Sequence, residues 1–190
     1  VIDGTACGMR LNSWFKDYPE IQYDHRYVFE EIGYNLKPTE MQAAMGLVQI
    51  TKLDEMHERR KHNFARMYSI FEQYSEFFHL PYSLEKADTS WFGFLLTLKD
   101  GCPFDKSEIV DHLESAKIQT RSYFTGNALF HPAYSTMFKE QYPDPKNQFP
   151  VATKTTKDTF FTGVYPGITD DQLDYIKVVV DNFMSKYTAK

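Results

Sequence analysis

The clearest strand signal in the chain is the run Trp91-Phe92-Gly93-Phe94-Leu95-Leu96-Thr97-Leu98. This run is rich in aromatic and branched residues, and the turn residues Lys99-Asp100-Gly101 end it. Because side chains alternate along a strand, one face carries four apolar residues, namely Phe92, Phe94, Leu96 and Leu98. A strand with such a face has to bury it against another layer of structure.

Helices and strands alternate after this run. Asp105 and Glu108 have the spacing of a capping box and predict the start of a helix. Residues 118–124 predict a short strand, and residues 160–164 predict another. The β-α-β order predicts an α/β fold in which helices cover a small mixed or antiparallel sheet. Thr169 with Gln172 predicts the cap of a final helix, which closes the domain.

The segment before this domain reads Gly33-Tyr34-Asn35-Leu36-Lys37-Pro38-Thr39-Glu40-Met41-Gln42-Ala43-Ala44-Met45-Gly46. Pro38 keeps the preceding residue out of the helical region, so we expect a turn followed by extended chain as far as Thr39. Thr39 and Gln42 then form a capping box that opens a helix running towards His57. One face of this helix is apolar, with Met41, Ala44, Met45 and Val48, and is interpreted as core.

A second apolar stripe at helical spacing lies within residues 57–78 and consists of Phe64, Met67, Phe71, Tyr74 and Phe78. It predicts either a second helix or a continuation of the first that bends near residues 53–56. The basic run Arg59-Arg60-Lys61-His62 lies on this helix and is interpreted as a solvated face. Residues 81–90 are polar and contain the break that separates this helix from the strand.

Composition excludes several classes of protein. The 190 residues are 42% hydrophobic and 16% aromatic, which is ample for a core, and the net charge of −5 argues against nucleic-acid binding. No run approaches the ~20 apolar residues that span a bilayer, so no membrane partner is expected. Two cysteines, Cys7 and Cys102, are too few for a disulfide framework and favour a reducing cytoplasm. The long aromatic-rich stretch over residues 1–23 leads us to expect a piece of a longer protein.

Local motifs of catalysis are absent from the sequence: it has no Gly-rich phosphate loop, zinc-binding His pair, nucleophile elbow or CxxC. Thr125-Gly126-Asn127 interrupts a predicted strand just after Arg121, which places a guanidinium and an amide at a strand end. Loops at strand ends commonly carry binding groups, although a plain turn is an equal alternative.

Five blocks, taken in order, resemble the C-terminal half of the fold-type-I nucleotide-sugar aminotransferases and dehydrases, which depend on pyridoxal phosphate. The blocks are Tyr23-Asp24-His25-Arg26-Tyr27, Ile32-Gly33-Tyr34-Asn35-Leu36-Lys37 with Met41-Gln42-Ala43-Ala44, Trp91-Phe92-Gly93-Phe94, Thr120-Arg121 with Phe124-Thr125-Gly126-Asn127, and Gly163-Val164-Tyr165-Pro166-Gly167. The resemblance implies that residues 1–56 are a remnant of the large cofactor-binding domain and residues 57–190 the small C-terminal domain.

Within this family the chain is most similar to the CDP-4-keto-6-deoxyglucose 3-dehydrases. These enzymes remove the C3 hydroxyl on the way to the 3,6-dideoxyhexoses of surface polysaccharides such as the O-antigen of lipopolysaccharide. Sugar aminotransferases usually have an aromatic residue and Arg where this chain has Leu36-Lys37, which favours dehydration. Two alternatives stay open: an aminotransferase that uses glutamate as donor, and a non-catalytic fragment that contributes only a dimer or substrate surface.

The resemblance also implies roles for individual residues. The catalytic base, a His in these dehydrases, is expected upstream of Val1, so no catalytic residue is assigned in this chain. Asn35 would reach the phosphate of the pyridoxal or pyridoxamine phosphate held by the neighbouring subunit of the family's homodimer. Tyr34 would also belong to the cofactor site, and Phe92 would lie near the cofactor. The nucleotide-linked 4-keto-6-deoxy sugar would be contacted by Arg121, Asn127 and Lys154, where Lys154 replaces a family Arg and lacks its bidentate fork.

One further implication concerns iron and sulfur. Ala6-Cys7-Gly8-Met9-Arg10-Leu11 resembles the context of the last ligand of the [2Fe-2S] cluster that some of these dehydrases hold. Such a cluster would make a flavin/iron-sulfur reductase a partner. The alternative is that Cys7 is an ordinary buried or free thiol, which is the commoner state of a single cysteine.

Overall fold

The computed structural model describes residues 38–188 in full. It also gives the backbones of two short strands, Arg10–Leu11 (β1) and Tyr23–Asp24 (β2), which pair in antiparallel fashion. The predicted cofactor residues Tyr34 and Asn35 and the predicted cluster ligand Cys7 lie outside the described residues.

The chain divides into two compact units, Val1–Val48 and Gln49–Lys190. A domain boundary between residues 56 and 57 in the whole protein stays a prediction. Among the helices of residues 38–188, none has the length and apolar character needed to cross a membrane.

The second unit is built on a four-stranded antiparallel sheet. Its strands are Phe78–His79 (β3), Gly93–Leu98 (β4), Thr120–Ser122 (β5) and Thr159–Gly163 (β6), and their spatial order is β3-β4-β6-β5. Leu96 of β4 lies opposite Phe160 of β6, and Arg121 of β5 lies opposite Phe161. The predicted α/β class is therefore observed in its antiparallel form, and β5 is an edge strand.

Seven helices accompany the described strands. They are Glu40–Ile50 (α1), Leu53–Glu72 (α2), Lys106–Ser115 (α3), Pro132–Ser135 (α4), Pro145–Gln148 (α5), Pro150–Asp158 (α6) and Asp170–Thr188 (α7), with a 3-10 helix at Ala128–Phe130. Buried side chains of α2, α3 and α7 pack with one face of the sheet, where Phe94, Leu96 and Phe160 are at most 1% exposed. The core therefore lies on one side of the sheet.

Capping boxes mark the start of three helices at the predicted positions. Thr39 N donates to Gln42 Oε1 over 2.7 Å, and Thr169 N donates to Gln172 Oε1 over 3.0 Å. Asp105 accepts from Glu108 N while the Glu108 carboxylate accepts from Asp105 N. These motifs are read correctly because each depends only on residues three positions apart.

Helix ends are less well predicted. The first helix stops at Ile50 and α2 begins at Leu53, so the helical path is broken by a short turn and does not run uninterrupted towards His57. Helix α2 stops at Glu72, and Phe78 belongs to strand β3 instead of the helical stripe. Phe78 is nevertheless buried, which is why its apolar character matched the stripe.

The interpretation of α1 as a core helix is wrong within the described residues. No residue of α1 is buried, and Met41, Met45 and Val48 are 78%, 68% and 54% exposed. The helix keeps the amphipathic spacing that predicted it.

The basic run on α2 is not the solvated face that we predicted. Arg59 contacts the Asp170 carboxylate at 3.3 Å and the Ile168 carbonyl at 2.8 Å, and His62 Nε2 lies 2.7 Å from Asp170. The His62 contact is the main cause that lowers the pKa of Asp170. These bonds join α2 to the start of α7. The contact could not be predicted from the sequence, because its partners are separated by over a hundred residues.

Candidate ligand-binding cleft

A cleft of about 780 Å³ opens beside the edge strand β5. Its walls come from the α3–β5 connection, from β5 and β6, and from the start of α7. We call it the Arg121 cleft and define it by the lining residues Phe92, Lys117, Gln119, Arg121, Ser122, Phe124, Phe161, Gln172 and Tyr175, with the smaller and apolar residues between them. Two of the predicted ligand residues, Phe92 and Arg121, meet here.

Arg121 differs from the other arginines of the described chain. Residues 38–188 contain four, and three of them have protein partners: Arg59 and Arg66 bind carboxylates, and Arg60 donates to the Trp91 carbonyl. Arg121 is exposed and has no hydrogen bond or ion pair with any described residue. A guanidinium with all five donors available is suited to a bidentate carboxylate or phosphate.

The cleft is electropositive on an acidic chain. Two cations line it, Lys117 and Arg121, and none of its lining residues within 38–188 is Asp or Glu. The chain as a whole carries a net charge of −5. Because a concave surface with one sign of charge concentrates ligands of the other sign, the charges of this cleft suit an anionic ligand.

Three phenylalanine rings form one wall. The ring centroids of Phe92 and Phe124 are 6.5 Å apart, and each lies 5.8 Å from the ring of Phe161. Phe92 and Phe124 are 68% and 70% exposed, which is high for side chains of this size. Exposed rings beside a cation can pack on the apolar face of a sugar or on a planar ring.

Gly93 makes this wall possible. A Cβ atom at Gly93 would lie 2.6 Å from Cδ2 of Phe161, closer than two carbons can approach. The absent side chain lets the Phe161 ring lie over the start of β4. The sequence therefore held a signal for this residue, because a glycine inside a strand often marks a close approach.

Backbone strain is concentrated in the same place. Among the described residues, only two that are not glycine have positive φ, Lys117 at 64° and Phe124 at 44°. Both line the Arg121 cleft. Such conformations persist where the surrounding structure enforces them, and they cluster at ligand sites. Lys117 was not predicted from the sequence, because lysine rarely adopts a left-handed conformation.

Asn127, which is also predicted to contact the substrate, is buried and bonded to protein atoms, and its role towards the substrate stays a prediction. It is 3% exposed, its Oδ1 accepts from Leu129 N over 3.1 Å, and its Nδ2 donates to the Pro145 carbonyl over 3.3 Å. Thr156 Oγ1 accepts from Asn127 N over 2.6 Å. Through these bonds the side chain of Asn127 holds the loop that follows β5. Arg121, in contrast, is exposed to solvent.

Lys154, the third predicted substrate residue, does not line the Arg121 cleft. It lies on α6, where its ammonium is 2.6 Å from Asp100 and 3.1 Å from Asp158. The hydrogen bond to Asp100 is the main cause that raises the pKa of Lys154. Within residues 38–188 its charge is therefore compensated by protein carboxylates.

Metal chemistry finds no support in the described part of the chain. Residues 38–188 contain no group of three or more His, Cys, Asp or Glu side chains placed to hold a metal ion. Cys102 is a free thiol whose pKa is raised by burial.

Comparison with known proteins identifies the family of this chain. The sequence pattern of the DegT/DnrJ/EryC1/StrS aminotransferase family matches residues 15–181. The chain belongs to this family. The predicted resemblance is confirmed, and so is the α/β fold of a fold-type-I enzyme that depends on pyridoxal phosphate.

Two curated relatives and one solved structure are informative. Lipopolysaccharide biosynthesis protein RfbH of Salmonella typhimurium is 37% identical over 179 residues, covering 94% of this chain and 40% of that protein. The dTDP-4-dehydro-2,6-dideoxy-D-glucose 3-dehydratase of Saccharopolyspora spinosa is 36% identical over 164 residues, covering 86% of this chain and 34% of that protein. This chain thus spans well under half the length of these relatives.

The solved structure is the E. coli GDP-4-keto-6-deoxy-D-mannose-3-dehydratase with bound hydrated pyridoxal phosphate. It superposes with a TM-score of 0.64 at 26% identity and covers 81% of this chain and 38% of that one. That relative binds pyridoxal phosphate. In this chain Phe92, which is predicted to lie near such a cofactor, presents an exposed ring in the Arg121 cleft.

Proposed function

We propose that this chain is the C-terminal portion of a nucleotide-linked 4-keto-6-deoxyhexose 3-dehydratase that uses pyridoxal or pyridoxamine phosphate. The observation that carries the proposal is Arg121, an arginine without a protein partner in a cleft that has aromatic rings and no carboxylate. A nucleotide sugar combines a diphosphate with a 6-deoxy ring that has an apolar C–H face, and the cleft offers a partner for each.

The choice of dehydration over transamination rests on sequence similarity. Two of the relatives described above carry 3-dehydratase in their names, and the family itself is described as an aminotransferase family. Leu36-Lys37 and the Trp91-Phe92-Gly93-Phe94 block support the dehydratase reading. Transamination with glutamate is the competing function, and its product, a 4-amino sugar, distinguishes it chemically.

In this proposal the described residues bind and orient the substrate. Arg121 holds the anionic part of the substrate, Phe124 covers the sugar and keeps water from it, and Phe92 lies near the cofactor. The cofactor, when bound, supplies an electron sink for loss of the C3 hydroxyl. Asn35 would donate to the cofactor phosphate of the second subunit of a homodimer, since a neutral amide is a suitable donor for a phosphate oxygen, and Tyr34 would lie in the same cofactor site.

Other parts of the prediction belong to the same proposal. The catalytic base would lie in residues that precede this chain, and the protein would act in the cytoplasm on precursors of surface polysaccharide. Cys7 would be the last ligand of a [2Fe-2S] cluster served by a flavin/iron-sulfur reductase. Absorption and electron paramagnetic resonance spectra of the reduced full-length protein test the cluster independently of the dehydration.

The experiment that tests the function uses the full-length protein with CDP-, dTDP- and GDP-linked 4-keto-6-deoxyhexoses, with and without glutamate. We expect loss of the C3 hydroxyl without a requirement for glutamate as amino donor to the product. Accumulation of a glutamate-derived 4-amino sugar would instead establish an aminotransferase. If added pyridoxal phosphate produced no change in the absorption spectrum, only a non-catalytic role would remain.

Arg121→Gln tests the residue that carries the proposal. Loss of a charge-assisted contact of about 1.5–3 kcal/mol should raise KM by roughly 10- to 100-fold and change kcat much less. Arg121→Lys keeps the charge but loses the fork, so it should recover part of the affinity. Unchanged KM in Arg121→Gln would exclude Arg121 from the substrate site. Lys139→Gln, an exposed lysine outside the cleft, is the matched control for loss of one positive charge.

A further inference from the structure

Lys117 occupies a position that usually belongs to glycine. It follows α3 with φ of 64°, and the helix ends in hydrogen bonds from Lys117 N to the Glu114 carbonyl and from Ile118 N to the Leu113 carbonyl. Helices that end in this way favour glycine at the left-handed residue, since a Cβ atom there is strained. A lysine therefore holds this place against its own conformational preference.

The side chain of Lys117 has no compensating partner in the protein. It is exposed, and no described residue forms a hydrogen bond or ion pair with it. Its contacts within residues 38–188 thus give no reason for a long cation at a strained position. Strain without a structural gain is characteristic of groups that serve a ligand.

The location of Lys117 explains why a cation occupies this strained position. Lys117 and Arg121 are four residues apart across the short connection between α3 and β5, and both line the same cleft. The second strained residue, Phe124, lines it as well. Two uncompensated cations on one concave surface, with no acidic side chain among its described lining residues, match a ligand that carries two adjacent negative groups.

We propose that Lys117 is the second cation of a diphosphate clamp, in which Arg121 binds one phosphate of the nucleotide sugar and Lys117 binds the other. The inference rests on the proposed function, because it assigns a part of that same substrate. Arg121 supplies a planar fork and Lys117 a flexible point charge, so the pair tolerates different orientations of the two phosphates. The clamp makes the cleft prefer a nucleoside diphosphate over a monophosphate.

The decisive variant is Lys117→Gly in the full-length protein. Glycine adopts positive φ without strain, so the melting temperature should not fall. Calorimetric titration with CDP, dTDP and GDP and with the three monophosphates should show that the preference for the diphosphate drops about tenfold, the value of one charge-assisted contact. Lys117→Asn should behave alike, because asparagine tolerates the left-handed region but carries no charge.

The matched control is Lys86→Gln, which removes an exposed lysine that lies outside the cleft. It should leave the diphosphate preference unchanged. The proposal is overturned if Lys117→Gly keeps the wild-type preference, if Lys86→Gln loses it to the same extent, or if the wild type binds none of the three diphosphates. Dehydration is measured on the same preparations: a protein that binds diphosphates through Lys117 but does not remove the C3 hydroxyl contradicts the proposed function alone.

Discussion

Phenylalanine side chains lie on both sides of the four-stranded sheet, and their exposure to solvent differs between the two sides. On the packed face, Phe94 and Phe160 are at most 1% exposed beneath the core helices. Next to them in the chain, Phe92 is 68% exposed and Phe161 lies in the wall of the Arg121 cleft. Hydrophobic side chains at the second face therefore do not build a core, which indicates that they are retained for contacts with a ligand or with the rest of the protein.

Polar residues show the same contrast. Asn127 is buried and fully bonded behind the strand end, whereas Arg121 is exposed and has no partner in residues 38–188. A buried polar group has to be paired, because an unpaired one is strongly destabilising. An exposed cation carries no such requirement and stays available. Substitutions on the packed side should therefore lower stability, and those on the cleft side should lower affinity.

The largest expected effect is on the packed face. Phe94 has ring neighbours in Phe64, Tyr68 and Phe71, with centroid distances of 5.2, 6.4 and 5.6 Å. Phe94→Ala should therefore lower the free energy of unfolding by about 3–5 kcal/mol, through lost burial and the cavity left behind. Urea denaturation followed by circular dichroism measures this change.

Phe92→Ala is the matched partner of that substitution, two residues away. It should change the free energy of unfolding by no more than about 0.5 kcal/mol, because the ring is largely exposed. In the full-length enzyme it should instead raise KM. Equal destabilisation by the two substitutions would show that the cleft face contributes to the fold as the core face does.

A loss of stability smaller than that of Phe94→Ala is expected behind the strand end. Asn127→Ala leaves the amide of Leu129 without an acceptor and should cost about 1–3 kcal/mol of stability. Asn127→Asp retains the accepting oxygen but places a buried carboxylate oxygen against the Pro145 carbonyl, so it should lower stability at least as much as Asn127→Ala. Thermal unfolding measures both variants, with Arg121→Gln as the comparison that should melt with the wild type. If Asn127→Ala were as stable as the wild type but bound substrate poorly, Asn127 would be a ligand residue after all.

Local sequence signals predicted the elements of the fold. The capping boxes at Thr39, Asp105 and Thr169 involve neighbouring residues only, and alternation over Phe94, Leu96 and Leu98 correctly identifies the buried face of β4. Phe92 continues the same alternation, but the strand begins at Gly93, so its ring leaves the buried face. Strand ends depend on pairing with a distant partner and cannot be read from one segment.

The ligand roles of the site residues stay predictions, and the structure adds their positions. Arg121 and Phe92 line one cleft, while Asn127 and Lys154 are engaged by protein atoms that are far away in the sequence, such as Pro145 and Asp100. The same long-range pairing explains why the basic run on α2 was misread: its partner, Asp170, begins a helix over a hundred residues later. The partners of Asn127 and Lys154, and the partner of the basic run, cannot be recognised from neighbouring residues in the sequence.

A loss of stability smaller than that of Asn127→Ala is expected for a polar contact at the rim of the packed face. Tyr74, just after α2, donates its hydroxyl to Asp181 of α7 over 2.7 Å. Burial and the Asp181 carboxylate raise the pKa of Tyr74 from 10.0 to about 12. Tyr74→Phe should therefore lower stability by about 1 kcal/mol at pH 8, the usual value of one such hydrogen bond.

The pH dependence identifies the cause. The folded state holds the Tyr74 proton more tightly than the unfolded state, so its contribution is complete below pH 10 and is lost as the pH rises towards 12. The difference in the free energy of unfolding between wild type and Tyr74→Phe should shrink across that interval. This difference reports the titration of Tyr74 alone, because all other groups titrate in both proteins. Urea denaturation at intervals from pH 8 to pH 12 measures it. A difference that stayed constant to pH 12 would mean that Tyr74 stabilises the packed face by ring contacts and not by its bond to Asp181.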